Sequence, residues 1–135
     1  MQQAPIDRRF IRSASPYEEV AGYWRAVVDG DWVFVSGTVG LDFATGVIPD
    51  DVTRQCELAF DTIAAALSQA ASGVDDIVRV RVFVHDRVDV PPVSQALKQW
   101  LRTNRPANTT VCCQLAVEGA KVEIEVTARR RAGTA

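Results

Sequence analysis

Two segments near the end of the chain alternate strictly, and that alternation constrains the fold more than any other feature. In Arg105-Pro-Ala-Asn-Thr-Thr-Val-Cys-Cys-Gln-Leu-Ala116, Thr109, Val111, Cys113 and Leu115 point one way, and Asn108, Thr110, Cys112 and Gln114 the other. In Lys121-Val-Glu-Ile-Glu-Val-Thr127, Val122, Ile124 and Val126 oppose Lys121, Glu123 and Glu125. Period two is the mark of a half-buried strand. Glu118-Gly119 lies between the segments and suits a turn, since glycine reaches positive φ without strain. The pattern predicts an antiparallel hairpin with one apolar face and one face of Asn, Thr, Gln and Glu. Chemistry is expected on the polar face, and Cys113 is expected in the core.

The rest of the chain supplies partners for that hairpin. Strands are predicted at Phe10–Arg12, Tyr23–Val28 and Trp32–Val35, the last two joined by Asp29-Gly30, a hairpin signal. After Pro49-Asp50-Asp51, the residues Val52, Cys56, Ala59, Phe60, Ile63, Leu67 and Ala70 recur at three- and four-residue steps. That is one helical stripe, ended by Ser72-Gly73 with glycine as a left-handed cap. Ile77–Val84 reads as a strand with Val78, Val80, Val82 and Val84 on one face and Ile77, Arg79, Arg81 and Phe83 on the other. Pro91-Pro92 opens a second helix whose stripe is Val93, Ala96, Leu97, Trp100 and Leu101. The tail from Arg129 to Ala135 is expected to fray. The predicted order is β-β-β-α-β-α-β-β in a single domain, 1–135, of the α+β kind. Both helices cover one face of a mixed sheet. The other face would carry Arg79, Arg81, Asn108, Thr110, Cys112, Gln114, Glu123 and Glu125, open to water or shared with further copies.

Composition narrows the function. A net charge of −2 gives no electrostatic reason to expect nucleic acid. No apolar run approaches the roughly 20 residues of a membrane span. The stretch Met1-Gln-Gln-Ala-Pro-Ile-Asp-Arg-Arg9 lacks a signal-peptide core, so the cytoplasm is the expected compartment. A single histidine, His85, disfavours a His-based metal site or a Ser-His-Asp triad within one chain, and no metal or cofactor is expected.

Read in order, Gly22-Tyr-Trp-Arg-Ala-Val27, Val35-Ser-Gly-Thr38, Thr53-Arg-Gln55, Val82-Phe-Val84 with Asp86, Arg105-Pro-Ala107 and Lys121-Val-Glu-Ile-Glu125 resemble the Rid family. This is the YjgF/YER057c/UK114 group, whose type members are enamine/imine deaminases, and the resemblance runs from about Ala21 to Ala128. It implies a chorismate-mutase-like fold and a homotrimer. Three sheets would close into a barrel, with ligand clefts between adjacent subunits. In the deaminating branch, an arginine directly after the Pro-Ala pair grips the substrate carboxylate; here that position is Asn108. A cysteine common two residues further on is Thr110. The resemblance carries the glutamate of the water or proton step onto Glu123, the tyrosine of the cleft mouth onto Tyr23, and the serine onto Ser36. Hydrolysis of 2-aminoacrylate-type imines is therefore expected to be weak or absent, because a charge-assisted hydrogen bond worth ~1.5–3 kcal/mol is missing.

Each candidate has a structural reading beside its functional one. Glu123 is either a general acid/base or the partner of Arg79 or Arg81 in a barrel-lining ion pair. Arg25 either supplies positive charge near the cleft or is a surface arginine. Asn108 and Thr110 are expected to touch ligand, and Tyr23 to cap it or pack an interface. Ser36 hydrogen-bonds rather than attacks, for want of a base. Cys112 faces the cleft but shows no certain source of thiolate stabilisation, and Cys56 is packing. Three functions remain open: an enzyme acting on a small carbonyl, imine or enamine metabolite by hydrolysis or tautomerisation, a binding protein without turnover, and a chaperone-like trimer.

Overall fold

Alternating valines and one apolar stripe per helix sort this chain into two layers. The structure is a computed structural model that describes residues 7–131. Its elements are β1 (Arg8–Ile11), α1 (Tyr17–Ala21), β2 (Ala26–Asp29), β3 (Trp32–Val39), α2 (Val52–Gln69), β4 (Ile77–Val84), α3 (Val90–Trp100), β5 (Ala107–Cys112) and β6 (Val122–Arg129). The predicted order holds, with the short helix α1 added. Of the tail expected to fray from Arg129, Arg129 instead ends β6 and the Arg130 N–H donates to the Asp31 carbonyl at 2.7 Å, while residues 132–135, like residues 1–6, lie outside the described residues.

The strands form one sheet in the order β1-β2-β3-β6-β4-β5. β6 runs antiparallel to both β3 and β4, and β5 runs parallel to β4. The expected hairpin of the last two strands is therefore wrong: β4 lies between them. Alternation says that a strand has two faces but not which strand lies beside it. Nine residues separate β5 from β6, far more than a tight hairpin needs. The crossover through α3 instead delivers β5 to the free edge of β4, as parallel pairing requires.

One face of the sheet is buried under α2 and α3. Val28, Val33, Val82, Val84, Val122, Ile124 and Ala128 are fully enclosed there, with Phe60, Ile63 and Leu67 of the α2 stripe against them. Burying a side chain of that size contributes about 1.5–3 kcal/mol. Phe60 stacks on Trp100 of α3 at 5.1 Å between centroids, which locks the two helices together. Cys56 is enclosed in the same stripe, and burial pushes its thiol up to about 12, so it is packing and not a nucleophile. The outer face leaves Phe10, Trp32 and Phe34 about half exposed.

Three local expectations are corrected. β4 slips register against β6 between Ile77 and Arg79, so Ile77 joins the core and Val78 is exposed. A bulge shifts the phase by one residue, which strict alternation cannot register. The strand expected over Tyr23–Val28 begins only at Ala26, so Tyr23 and Arg25 precede β2. Past α2, the left-handed residue is Ala71, with φ of 57°, while Gly73 is extended.

Gln55, fully buried on α2, fastens the loops at one end of the sheet. Its amide nitrogen donates to the carbonyls of Pro49 (2.7 Å) and Gly119 (3.1 Å), and its oxygen accepts from the Lys121 backbone N–H at 2.8 Å. Gln55→Ala strands three backbone groups, each costing about 1–3 kcal/mol when buried without a partner. We expect urea denaturation to show a loss of roughly 3 kcal/mol, and a loss below about 1 kcal/mol would mean that water replaces the side chain.

Candidate functional site

Glu123 projects from the start of β6 on the outer face, beside the point where the neighbouring strand breaks its register. The β3–β6 ladder shifts between Val35 and Thr38, and Ser36 and Gly37 occupy the irregularity. Such a bulge turns backbone carbonyls out of the ladder. Here Arg25 collects them: its Nη1 donates to the Gly37 carbonyl at 2.9 Å, to Thr38 Oγ1 at 2.8 Å and, more weakly, to the Ser36 carbonyl at 3.5 Å. Its Nε donates to Glu18 Oε2 at 3.1 Å and its Nη2 to the Tyr23 hydroxyl at 3.3 Å. Glu18 is held in turn by Ser13, whose backbone N–H donates at 2.9 Å and whose hydroxyl donates to the other carboxylate oxygen. Arg25 is 3% exposed and Glu18 7%. This is a buried ion pair with its remaining donors satisfied, the condition under which such a pair is tolerated.

Gly37 makes room for the Glu123 carboxyl group. A methyl group on Gly37 would lie 3.0 Å from the carboxyl carbon and 3.2 and 3.3 Å from its oxygens. Burial raises the pKa of Glu123 above the ordinary carboxylate range, and Glu125 on the same strand face raises it further; Arg25 pulls it partly back. Glu125 itself pairs with Arg81 at 3.4 Å. Of the two arginines expected as its alternative partners in a barrel, Arg81 pairs with Glu125, and among the ion pairs of the described residues none joins Glu123 to Arg79 within one chain.

These groups line a cavity of about 440 Å³. Tyr23, Arg25, Ser36 and Glu123 supply its polar wall, and Leu41, Phe43 and Val117 an apolar one. The Ser36 hydroxyl donates to the Trp24 carbonyl at 2.7 Å, which orients it as a hydrogen-bonding group. Four sequence-predicted residues thus converge. Arg25 arrives in an unexpected role: its guanidinium charge is offset by Glu18 and its donors are engaged, so it braces the wall instead of facing outward.

The other candidates do not join them within one chain. The β4–β5 register sets Asn108 beside Val80, Thr110 beside Val82 and Cys112 beside Val84, all on the helix side of the sheet. The expectation that they share a face with Glu123 is corrected, because the bulge in β4 and the parallel pairing put Thr109 and Val111 on the Glu123 side instead. Asn108 and Thr110 line a separate cavity beside α3. Cys112 and Cys113 are both free and exposed, so Cys113 is not a core residue. His85 is exposed after β4.

Sequence reasoning missed Glu18 and the part played by Gly37. Glu18 stands seven residues before Arg25 across a loop, a spacing with no periodic signal. Among the described residues no group of His, Cys, Asp and Glu could hold a metal ion, and no helix is long and apolar enough to cross a membrane.

Residues 13–130 match the endoribonuclease L-PSP family. The RutC family protein UK114 of Drosophila melanogaster is 37% identical over 123 residues, covering 89% of this chain and 88% of that protein. A 2-iminobutanoate/2-iminopropanoate deaminase of Capra hircus is 28% identical over 122 residues, covering 90% and 89%. The crystal structure of a YjgF/YER057c/UK114 family member from Mycobacterium tuberculosis superposes with a TM-score of 0.82 at 34% identity, covering 91% of this chain and 99% of that one.

Proposed function

The chain belongs to the Rid family, the YjgF/YER057c/UK114 group matched here as endoribonuclease L-PSP, and on that premise we propose an imine- or enamine-processing enzyme. It binds a small carbonyl, imine or enamine metabolite in clefts between the subunits of a homotrimer and promotes hydrolysis or tautomerisation. The observation that carries this reading is the half-buried Glu123 carboxyl group, raised in pKa and set against Gly37 in a cavity with an apolar wall. A carboxyl group poised nearer neutrality can both take and give a proton. As water adds to the C=N carbon, Glu123 accepts the water proton and passes it to the nitrogen. The C–N bond of the resulting carbinolamine then breaks, releasing ammonia and the carbonyl product. For an enamine, the same group protonates the β-carbon first. Tyr23 and Ser36 hold the ligand, and Arg25 holds Tyr23 and the bulge.

Trimer formation explains two features that one copy leaves open. β5 is exposed along its whole length, and the outer face carries uncovered aromatics. Both fit an edge and a face covered by further copies. In that assembly Asn108, Thr110 and Cys112 of one subunit approach the Glu123 wall of the next. The free cysteines fit a reducing compartment such as the cytoplasm. A net charge of −2 favours a metabolite over nucleic acid.

Because Asn108 carries no charge, turnover of 2-aminoacrylate-type imines is expected to be weak. Ammonia release from imines generated in situ tests the reading. Asn108→Arg is expected to raise the rate on 2-iminobutanoate about 10-fold or more. Silence of both proteins on every imine offered, with trimers intact by native mass spectrometry, would leave a binding protein without turnover.

A further inference from the structure

On the helix side of the sheet, α3 and β5 flank a second, open cavity of about 660 Å³, and the charged residues that line it are all cations. Lys98 lies in the last turn of α3, Arg102 in the turn that follows and Arg105 directly after that turn. No carboxylate lines the cavity. None of the three cations is among the ion pairs of the described residues. Across from them on β5, the Thr110 hydroxyl donates to Asn108 Oδ1 at 2.9 Å. That bond occupies the amide oxygen and leaves the amide NH₂ free to donate outward. Arg105, at the entry to β5, has φ of 43°, a left-handed backbone that non-glycine residues seldom adopt. The floor is apolar, formed by Val80, Leu97 and Leu101, all buried.

Lys98, Arg102 and Arg105 are all exposed, and three like charges around one apolar floor favour the approach of an anion. A guanidinium fork and an ammonium group beside a free amide suit a carboxylate with a short carbon body. The volume falls within the range of small-ligand sites. We propose that this cavity binds the carboxylate of a small organic acid through Lys98, Arg102 and Arg105, with Asn108 donating to a carbonyl or imine oxygen or nitrogen at the ligand's other end. The positive charge stands on the α3 wall and not at position 108. The favoured ligand therefore carries its carboxylate away from the reacting carbon. The inference rests on the proposed function for the ligand's second group and adds its charge and polarity.

The probes are 4-oxopentanoate, a ketone with a distal carboxylate, and its methyl ester, titrated into ¹⁵N-labelled full-length protein at low ionic strength. Saturable shifts centred on Asn108 and Thr110 are expected with the acid, and affinity at least about 10-fold lower with the ester. The Lys98→Gln/Arg102→Gln double variant is expected to weaken the acid by a similar factor and to leave the ester unchanged. Equal binding of acid and ester, shifts that never saturate, or a double variant that keeps full affinity for the acid would each overturn the proposal. A double variant that loses the native oligomer while keeping acid affinity would assign the cations to the subunit contact and would also overturn it. Ammonia release without acid binding removes this inference alone, and saturable acid binding without ammonia release removes the enzymatic reading alone.

Discussion

Replacing Glu123 by glutamine is expected to lower kcat for imine hydrolysis by about 10²- to 10⁴-fold, the usual contribution of a positioned general acid/base. Glutamine keeps the shape that Gly37 accommodates, so the loss would report the proton and not the packing. Stability should move the other way. The folded protein holds the Glu123 proton more tightly than the unfolded chain does, because burial and Glu125 disfavour the charged form. Stability is therefore highest below the ordinary carboxylate range and falls as pH rises through the raised folded pKa. Glutamine does not titrate. The Tm of Glu123→Gln relative to the wild type should thus climb as pH rises from the ordinary carboxylate range through the raised folded pKa. Calorimetry across that range checks the sign, and ammonia release checks the rate. A variant that keeps its turnover, or whose relative Tm falls with pH, removes Glu123 from the chemistry proposed for it. Lost activity with a rising relative Tm is the mark of a group placed for function at the expense of stability.

The same residue shows where sequence reasoning reached and where it stopped. Alternation in Lys121–Thr127 gave the faces of β6 correctly, because the extra residues of both irregular ladders lie in β3 and β4 and β6 itself alternates without a break. Along β4, one extra residue near Val78 reversed the face of Ile77, and no residue type announced it. β5 failed differently. Its Asn, Thr and Cys residues are polar on one side only by alternation, and the whole strand is exposed in a single chain. The pattern therefore had no buried reference to fix which side was which. Arg25 was legible as a residue of the site, through its neighbours Gly22 and Tyr23. Its role was not, since its counter-ion Glu18 lies across a loop and the carbonyls it binds are freed by an irregularity in β3. The helix stripes survived intact because Cys56, Phe60, Ile63 and Leu67 face a core that admits one orientation.

Gly40 is expected to be the position least tolerant of an added methyl group. It follows β3 and is buried, and a Cβ there would lie 2.4 Å from both the Cα and the carbonyl oxygen of Gln55. Those atoms belong to helix backbone, so no side-chain rotation relieves the contact. Either α2 moves away from the sheet by about an ångström or the end of β3 does, and a close-packed interior resists both. Overpacking typically costs about 1–3 kcal/mol, and a backbone-to-backbone clash belongs at or above the top of that range. The displacement also reaches the three hydrogen bonds of Gln55, which tie α2 to the loops before it and before β6. Gly40→Ala should therefore lose about 3 kcal/mol or more by urea denaturation, a large share of the ~5–15 kcal/mol typical of a domain. Gly73→Ala is the control. Gly73 has an extended backbone with φ of −162° and nothing within 4 Å of an added methyl group. Alanine there restricts only the unfolded chain and should stabilise by about 0.4–1 kcal/mol. If both variants lost the same amount, the close approach of α2 to β3 would not be what makes glycine necessary at position 40.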